Sequence, residues 1–185
     1  MLVKRAMSKN VVSVSVPGNR EKVLDLMRKE DKAVLPVVKG DTKQLVGLIT
    51  RSDLIVNPDE EQIAILMSTD LVTASPDDDV ADVAKKMIDN NVRRVPVVDD
   101  NGDLVGIITS FDLVSNALIK LESDDPVENF MITTVPTTWY KTPLNVAFET
   151  MKQFGLKSVL ALNDSAKLVG ILTETDFIEE SEIIS

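Results

Sequence analysis

The sequence predicts an α+β fold in which three copies of one β-α-β-β-α unit follow one another along the chain. The first observation behind it is an internal repeat, since Met7 recurs 60 positions later as Met67, which recurs 64 positions later as Met131. The second is a fixed order of hydrophobic periodicities within each copy. A unit of about 60 residues is too small to bury its faces well alone, so the copies are expected to pack on one another.

The repeat divides the chain into three segments, 1–57, 58–121 and 122–185. Copies one and two are joined by a short helical stretch and are expected to pair with each other. The third copy is then expected to pair with its equivalent in another chain, or with a fourth repeat.

Each copy opens with a short β-prone run, VVSVSV at 11–16 in the first, and a turn rich in Pro, Gly, Asn or Asp. A helix with an apolar stripe at i, i+3, i+4, i+7 and i+8 follows, and in the second copy the carboxylates of Asp77 to Asp79 precede it as cap and dipole partners. The predicted stripe of that helix consists of Val80, Val83, Ala84, Met87 and Ile88. The equivalent methionines are expected in the core: Met27, Met87 and Met151.

Two apolar strands come next, VPVV at 95–98 and LVGIIT at 104–109, and the turn-forming DDNGD between them predicts a hairpin. A second helix is expected to start near Asp112. Pro36 and Pro96 lack a backbone donor, which predicts a sheet edge or a bulge at these positions.

Composition excludes several kinds of site. The 185 residues include no cysteine and no histidine, which excludes disulfides, thiolate or imidazole metal sites, Ser-His-Asp triads and cysteine nucleophiles. A net charge of −10 argues against nucleic acid and against an anionic membrane as partners. No segment approaches the roughly 18 consecutive apolar residues of a membrane-spanning helix, and the protein is expected in the cytoplasm.

Three strings carry a resemblance to a known family: LPVVKGDTKQLVGLITRSDL, VPVVDDNGDLVGIITSFDL and VLALNDSAKLVGILTETDF. They closely resemble the signature of cystathionine-β-synthase-type (CBS) domains, and the resemblance covers nearly the whole chain. It implies that two units pair through their sheets and leave two clefts, which in this family often bind AMP, ADP, ATP or S-adenosylmethionine. Such an adenine nucleotide would be a regulatory ligand, and no catalytic cofactor is expected.

Each string ends in a threonine and an aspartate three residues apart. Given the resemblance, the carboxylates suit the two ribose hydroxyls, with the threonine hydroxyls one turn earlier. The predicted ribose-binding residues are Thr50, Asp53, Thr109, Asp112, Thr173 and Asp176. The same residue types are preferred at helix starts, so a purely structural capping role is the alternative.

Glycines interrupt the strand before each pair, at Gly47, Gly106 and Gly170. A strand glycine often marks the close approach of a ligand or of another backbone, which suits a base slotted between strands.

Basic residues that could meet phosphate differ among the copies. Arg93 and Arg94 occupy the position where the nucleotide-binding regulatory subunit of AMP-activated protein kinase, a CBS protein, carries phosphate-contacting residues. Lys157, at the equivalent position of the third copy, and Arg51, inside the first Thr-x-x-Asp, are further predicted phosphate ligands.

The third copy departs from the pattern because it lacks the proline and carries Trp139 and Tyr140, the chain's only Trp and Tyr. Packing of this pair onto its own helix is favoured over stacking on a base or sealing a subunit contact. Three carboxylate runs fall where turns or helix caps are expected, so no metal site is predicted. The runs are Asp77 to Asp79, Asp99 to Asp100, and Asp124 to Asp125.

These observations favour a ligand-sensing module over an enzyme, because no base, nucleophile or metal constellation accompanies the carboxylates and hydroxyls. The ligand is expected to be AMP, ADP or ATP, with S-adenosylmethionine as an alternative. The signal would pass in trans to a separately encoded effector protein, and the chain is expected to form a homodimer. A structural dimerisation scaffold without ligand is the competing hypothesis.

Overall fold

The computed structural model describes residues 1–117, 126–129 and 131–177. It divides the chain into two compact units, Met1–Ser123 and Asp124–Ser185. The described residues of the first unit contain repeats one and two, and those of the second contain repeat three. Small sheets flanked by helices confirm the predicted α+β class.

Repeat one follows the predicted β-α-β-β-α order. The elements are β1 (Val14–Val16), α1 (Arg20–Lys29), β2 (Val34–Lys39), β3 (Leu45–Thr50) and α2 (Arg51–Val56). In the sheet, with strand order β1-β2-β3, β1 runs parallel and β3 antiparallel to β2. A further short helix, α3 (Ile63–Leu66), belongs to the start of repeat two.

Repeat two differs from repeat one in its first strand. The expected strand is reduced to a single parallel bridge between Ala74 and Val97, because Pro76 stands where repeat one has Val16 and has no N–H to extend the ladder. The remaining elements are α4 (Val80–Asp89), β4 (Arg94–Val98), β5 (Leu104–Thr109) and α5 (Ser110–Ala117). A 3₁₀ helix, Val3–Arg5, lies at the start of the chain.

Repeat three, in the second unit, has the strand order β6-β7-β8 with the same parallel and antiparallel pairings as repeat one. The elements are a 3₁₀ helix (Val127–Asn129), β6 (Thr137–Trp139), α6 (Leu144–Gln153), β7 (Ser158–Leu162) and β8 (Leu168–Thr173). None of the helices in the described ranges is long and apolar enough to cross a membrane.

The three helix methionines, Met27, Met87 and Met151, are buried, as predicted. The predicted stripe of α4 was wrong at one position, because Ile88 is 79% exposed while Val83 is fully buried. At 100° per residue, Ile88 lies roughly 90° from the centre of the stripe, which places it on the flank of the helix.

Two residues after the end of each of these helices stands a residue with positive φ: Asp31 at 47°, Asn91 at 53° and Gly155 at 62°. Asp, Asn and Gly are the residues that tolerate this left-handed conformation best. The turn directs the chain back into the next strand, β2, β4 or β7.

Pro36 lies in the central strand of its sheet, so of the two predicted alternatives, an edge or a bulge, the edge does not apply to it. The ladder with β1 nevertheless begins one residue later, at Val37, and the neighbouring β2–β3 register shifts between Val37 and Val38. Pro96 precedes an equivalent shift between Val97 and Val98. The predicted bulges are therefore present beside both prolines.

The eight residues that lead into each of repeats one and two form a segment that we call the lead segment: 1–8 and 61–68. In the first unit the lead segments are exchanged. Val3 and Ala6 lie in the core of repeat two, whereas Ile63 and Leu66 lie in the core of repeat one. Because each repeat is completed by a segment that leads into the other, repeats one and two form one folding unit.

The ends of these lead segments also pair with the sheet of the opposite repeat. Ser8 and Ile107 exchange two backbone hydrogen bonds of 2.9 and 3.0 Å, and so do Leu48 and Ser68, at 3.0 and 2.9 Å. These hydrogen bonds therefore join each lead segment to the sheet of the opposite repeat.

Candidate functional site

The Thr–Asp pairs of repeats one and two adopt the same local geometry. In repeat two, the N–H and hydroxyl of Thr109 donate to Oδ2 of Asp112 at 2.8 and 2.6 Å, and the Asp112 N–H donates back to the hydroxyl oxygen at 3.1 Å. Thr50 and Asp53 form the same reciprocal capping box at the start of α2. The capping role considered from the sequence is therefore present.

Repeat three repeats part of this arrangement, because the N–H and hydroxyl of Thr173 donate to Oδ2 of Asp176 at 2.7 and 2.8 Å. In all three pairs these hydrogen bonds converge on one carboxylate oxygen. These capping hydrogen bonds therefore use one of the two carboxylate oxygens of each aspartate.

A cavity of about 300 Å³ lies beside the Thr109–Asp112 pair. That volume is at the lower end of the range of small-molecule sites. Three parts of the first unit line it: residues 8–12, the α1–β2 turn with the start of β2, and the β4–β5 hairpin with the first turn of α5. The lining residues are Ser8, Asn10, Val11, Val12, Asp31, Lys32, Val34, Pro36, Arg94, Ile107, Thr109 and Asp112.

The two adjacent arginines of repeat two differ in position. Arg94 is directly opposite Thr109 in the β4–β5 ladder and lines the cavity. Both residues are exposed, but Arg93 is absent from the cavity lining, and its carbonyl accepts a hydrogen bond of 2.9 Å from the Ser110 N–H. The structure therefore brings Arg94, Thr109 and Asp112 together around one cavity.

Lys32 is a lining residue that the sequence reasoning missed. It follows the left-handed residue Asp31 at the end of α1 and brings a second cation to the cavity. The sequence could have pointed to Lys32, because the equivalent positions of the other repeats hold the apolar residues Val92 and Leu156. A charge at a position that is otherwise apolar in a repeat protein indicates a local role.

The other predicted phosphate ligands lie elsewhere. Arg51 is the first residue of α2, next to Thr50, and its N–H donates to the carbonyl of Ala33 at 3.0 Å. In the second unit, Lys157 forms a 2.8 Å ion pair with Glu174, one residue after Thr173. The side chain of Lys157 is 71% exposed, so this pair contributes little to stability.

Two of the strand glycines face the lead segment of the opposite repeat. A Cβ added at Gly106 would come within 2.5 Å of the Met7 sulfur, and one at Gly47 within 2.5 Å of the Met67 sulfur. The close approach expected at these glycines is therefore made by a methionine side chain and the following serine carbonyl.

Trp139 and Tyr140 pack against each other in a T-shaped geometry with ring centroids 5.5 Å apart. The Trp139 indole N–H donates to Oδ1 of Asp164 at 2.8 Å, and Lys141 Nζ lies 5.0 Å from the Tyr140 ring centroid. Both aromatic residues remain nearly half exposed, so the favoured packing onto their own helix is replaced by contacts at the strand end and the β7–β8 turn.

The carboxylate runs in the described ranges serve turns and caps. Burial raises the pKa of the Asp78 carboxyl, but hydrogen bonds from Lys86 Nζ and the Ser75 N–H outweigh it and leave the pKa below its ordinary value. The pKa of Asp79 is lowered by the Ala81 N–H, at the start of α4, and by the terminal ammonium of Met1.

The turn residue Asp99 accepts from two N–H groups of the β4–β5 turn, those of Asn101 at 2.9 Å and Asp103 at 3.0 Å. No group of three or more acidic residues in the described ranges is arranged to hold a metal ion. Asp124 and Asp125 lie outside those ranges.

Comparison with known proteins gives a family for this fold. A family model described as the CBS domain matches residues 3–58, 61–118 and 127–182. Protein MJ1225 of Methanocaldococcus jannaschii is 23% identical over 198 residues, which cover 96% of this chain and 70% of the relative. The chain spans less than half of the length of further curated relatives that it matches.

Solved structures give the same fold. The crystal structure of MJ1225, described as an archaeal candidate homologue of g-AMPK, superposes with a TM-score of 0.88 at 22% identity and covers 97% of this chain and 72% of that chain. The CBS domain pair of protein MJ0100, in complex with 5′-methylthioadenosine and S-adenosylmethionine, is 32% identical, with a TM-score of 0.58 over 62% of this chain and 98% of that chain. CBSX2, solved in complex with AMP, is 24% identical, with a TM-score of 0.57 over 63% and 96% of the two chains.

Proposed function

We propose that this chain, which belongs to the CBS domain family, is a regulatory module that binds an adenine nucleotide in the cavity beside Thr109 and Asp112. The observation that carries the proposal is the placement of two cations, Arg94 and Lys32, around a cavity that also holds the Thr109–Asp112 pair. A nucleotide needs a carboxylate for its ribose and cations for its phosphate, and the lining supplies both.

The polarity of the lining favours one orientation of the ligand. The ribose would lie at Asp112, the phosphate would meet Arg94 and Lys32, and the base would pack on the apolar side chains of Val12, Val34 and Ile107. The guanidinium of Arg94 suits phosphate because its planar fork forms charge-assisted and often bidentate bonds to phosphate oxygens.

A nucleoside phosphate is favoured over S-adenosylmethionine on electrostatic grounds. Arg94 and Lys32 would attract a phosphate and repel a sulfonium at the same position, while the carboxylates of Asp31 and Asp112 also line the cavity. The complex of MJ0100 with S-adenosylmethionine and 5′-methylthioadenosine supports an adenosyl ligand in this family. S-adenosylmethionine therefore remains the alternative ligand in the test below.

Regulation would follow from the composition of the cavity wall. Repeats one and two both contribute side chains to the cavity. A bound ligand would therefore stabilise one packing of the two repeats over others. A separately encoded effector protein in the cytoplasm would read that packing, and the chain itself would act as a homodimer without catalytic activity.

A structural scaffold is the second candidate function. It is favoured by one observation, the capping geometry of the Thr–Asp pairs, which accounts for their repetition without a ligand. A scaffold does not account for Lys32, which departs from the apolar residues at the equivalent positions of the other repeats.

A melting screen separates these functions. With AMP, ADP or ATP at 100 times the dissociation constant, the free energy of unfolding of the ligand-binding unit should rise by about 2.7 kcal/mol, whereas a scaffold gains nothing. Adenosine should shift the melting temperature less than AMP at equal concentration, because it lacks the phosphate. A larger shift in melting temperature with S-adenosylmethionine than with AMP would assign the cavity to a sulfonium ligand. If none of these ligands shifted the melting temperature, the structural scaffold would be the better account.

A further inference from the structure

A second cavity lies in the first unit, at the turn end of the β2–β3 hairpin. Its volume is about 310 Å³, close to that of the Arg94 cavity. Three parts of the chain line it: the residues just before β1, the end of β2 with the β2–β3 turn, and the start of β5. Asn10 and Val11 line both cavities, so the two lie on either side of one short segment.

The charges that line this second cavity are positive. Lys9 and Lys43 bring two ammonium groups to it, and the described residues that line it include no carboxylate. The Arg94 cavity, in contrast, is lined by the carboxylates of Asp31 and Asp112 as well as by its cations. A concave surface lined by one sign of charge attracts ions of the opposite sign. In a chain with a net charge of −10, this lining favours an anion.

Neutral donors accompany the two lysines. Asn10 contributes an amide and Ser13 a hydroxyl to the lining, and neither side chain hydrogen bonds to another residue in the described ranges. Thr42 also lines the cavity, but its hydroxyl donates to the carbonyl of Lys39 at 2.6 Å and so belongs to the turn. The donors that remain for a ligand are the two ammonium groups, one amide and one hydroxyl.

The backbone fixes the positions from which both lysines extend. The N–H of Leu104, the first residue of β5, donates to the Lys43 carbonyl at 2.8 Å and so bonds the β2–β3 turn to repeat two. The Val11 N–H donates to the Lys9 carbonyl at 3.1 Å, which closes a tight turn before β1. Both cations therefore extend from hydrogen-bonded turns, although their side chains are exposed.

The internal repeat shows that folding does not require these lysines. The other two copies have threonine at the position of Lys9, and glycine or alanine at the position of Lys43. The equivalent residues are Thr69 and Thr133, and Gly102 and Ala166. Asn10 is replaced in repeat two by Asp70, so the equivalent surface of that repeat gains a negative charge and has neither lysine. Because the same hairpins form without cations at these positions, the two lysines of repeat one indicate a local role.

Phosphate is the anion that this lining fits best. A phosphate monoester carries a charge of about −1.5 to −2 at pH 7, which two ammonium groups balance, whereas a carboxylate carries a single charge. Ammonium, amide and hydroxyl groups all donate to phosphate oxygens. The buried side chains of Val38 and Leu104 line the same cavity and offer an apolar surface to the organic part of a phosphate ester.

We propose that this cavity binds a phosphate group through Lys9 and Lys43, at a site separate from the Arg94 cavity. Because Asn10 and Val11 line both cavities, the phosphate group has two conceivable sources. It belongs either to a free phosphate compound or to the terminal phosphates of a nucleoside triphosphate bound in the neighbouring cavity. The first source does not depend on the proposed nucleotide site, whereas the second rests on it.

Pyrophosphate is the probe for the first source. Titration calorimetry with pyrophosphate is carried out on the full chain carrying Arg94→Ala, which removes the guanidinium of the neighbouring cavity. A salt concentration of about 0.15 M screens attraction between exposed charges that lie more than about 8 Å apart. Adding Lys9→Gln and Lys43→Gln should raise the dissociation constant about tenfold or more, because charge-assisted hydrogen bonds to phosphate oxygens are lost.

The matched control is Lys22→Gln/Lys29→Gln in the same background. It removes the same charge from two exposed lysines of α1 that line neither cavity. This control should change the pyrophosphate dissociation constant by no more than about twofold, because distant exposed charges are screened. Since all four lysines are exposed, both double variants should keep the melting temperature of their parent chain in the absence of ligand.

AMP and ATP test the second source in a chain that keeps Arg94. Lys9→Gln/Lys43→Gln should leave AMP affinity unchanged, because the single phosphate of AMP is assigned to Arg94 and Lys32. A loss of ATP affinity alone would identify the terminal phosphates of the nucleotide as the anion. A loss of pyrophosphate affinity in the first experiment would identify a free phosphate compound.

Two results would overturn the proposal. In the first, the changes at Lys9 and Lys43 weaken neither pyrophosphate nor ATP more than the control changes do. In the second, AMP and ATP lose affinity equally, which would place both lysines in the nucleotide site itself. Failure of the proposed nucleotide function gives a different result, because AMP would then not bind the wild-type chain while pyrophosphate kept its dependence on Lys9 and Lys43.

Discussion

Arg94 stands directly opposite Thr109 in the β4–β5 ladder, and the Thr109 hydroxyl in turn donates a hydrogen bond to Asp112. This arrangement places a guanidinium, a hydroxyl and a carboxylate on one cavity wall. The adjacent Arg93 is absent from that wall, which provides a matched pair of arginines for testing phosphate recognition.

Replacing Arg94 with alanine should weaken AMP binding about tenfold to a hundredfold, because a hydrogen bond to a charged group contributes roughly 1.5–3 kcal/mol. Adenosine affinity should be nearly unchanged, since ribose and base contacts belong to other residues. Arg93→Ala should affect both ligands little. Titration calorimetry with AMP and adenosine measures these affinities, and equal losses in the two variants would contradict the assignment of Arg94.

Asp112→Ala should have two separable effects. Loss of the capping box should lower the free energy of unfolding by about 1 kcal/mol, and loss of the carboxylate should weaken nucleotide binding about tenfold or more. Asp53→Ala, in the equivalent capping box of repeat one, is the control for the capping term. If Asp112→Ala lowers stability as Asp53→Ala does but leaves AMP affinity intact, the aspartate is only a cap.

Gly47→Ala and Gly106→Ala should each destabilise the first unit by about 1–3 kcal/mol, because the new Cβ overlaps a methionine side chain. Shortening that side chain should restore part of the loss, so Gly106→Ala combined with Met7→Ala should cost less than the sum of the single changes. Urea unfolding provides the measurement. Additive single losses would show that Met7 is not the residue that Gly106 accommodates.

The ion pair of Asp78 with Lys86 predicts a dependence on pH. Since the pKa of Asp78 is lowered by folding, its contribution to stability is present at neutral pH and is lost as the pH falls below the ordinary value of 3.8. Asp78→Asn should therefore be slightly less stable than the wild type at pH 7, by less than about 1 kcal/mol for a half-exposed pair, and this difference should shrink progressively as the pH falls below 3.8. A gap between the two unfolding curves that does not narrow on acidification would contradict this origin.

Internal repetition made the fold predictable. Helix methionines, hairpins and terminal capping residues recur at fixed offsets, and the structure places Met27, Met87 and Met151 in equivalent cores. The register of the β2–β3, β4–β5 and β7–β8 hairpins is likewise the same in all three repeats. The helix core positions and the hairpins follow from the local spacing of apolar residues and turn residues, which the sequence displays directly.

Three features were not predicted from the sequence. The exchange of lead segments depends on which sheet the apolar residues Val3 and Ile63 reach, and hydrophobic periodicity carries no such information. Lys32 was missed, although its charge departs from the apolar residues at the equivalent positions, because its place at the cavity depends on the path of the chain after α1. The sequence could not distinguish Arg93 from Arg94, because the two are adjacent and identical. The structure distinguishes them, because Arg94 pairs with Thr109 in the β4–β5 ladder and lines the cavity, whereas Arg93 does not line it.

The exchange of lead segments has a mechanical consequence. The Met1 ammonium contacts Asp79 at 2.9 Å, Val3 is buried in repeat two, and the Ser8 backbone is bonded to Ile107. A force applied at the first residue would therefore load repeat two before it reached repeat one, although repeat one follows directly along the chain. A handle or a fused protein attached at that end would pull on the residues next to the Arg94 cavity, so tension and ligand occupancy would act on the same hydrogen bonds.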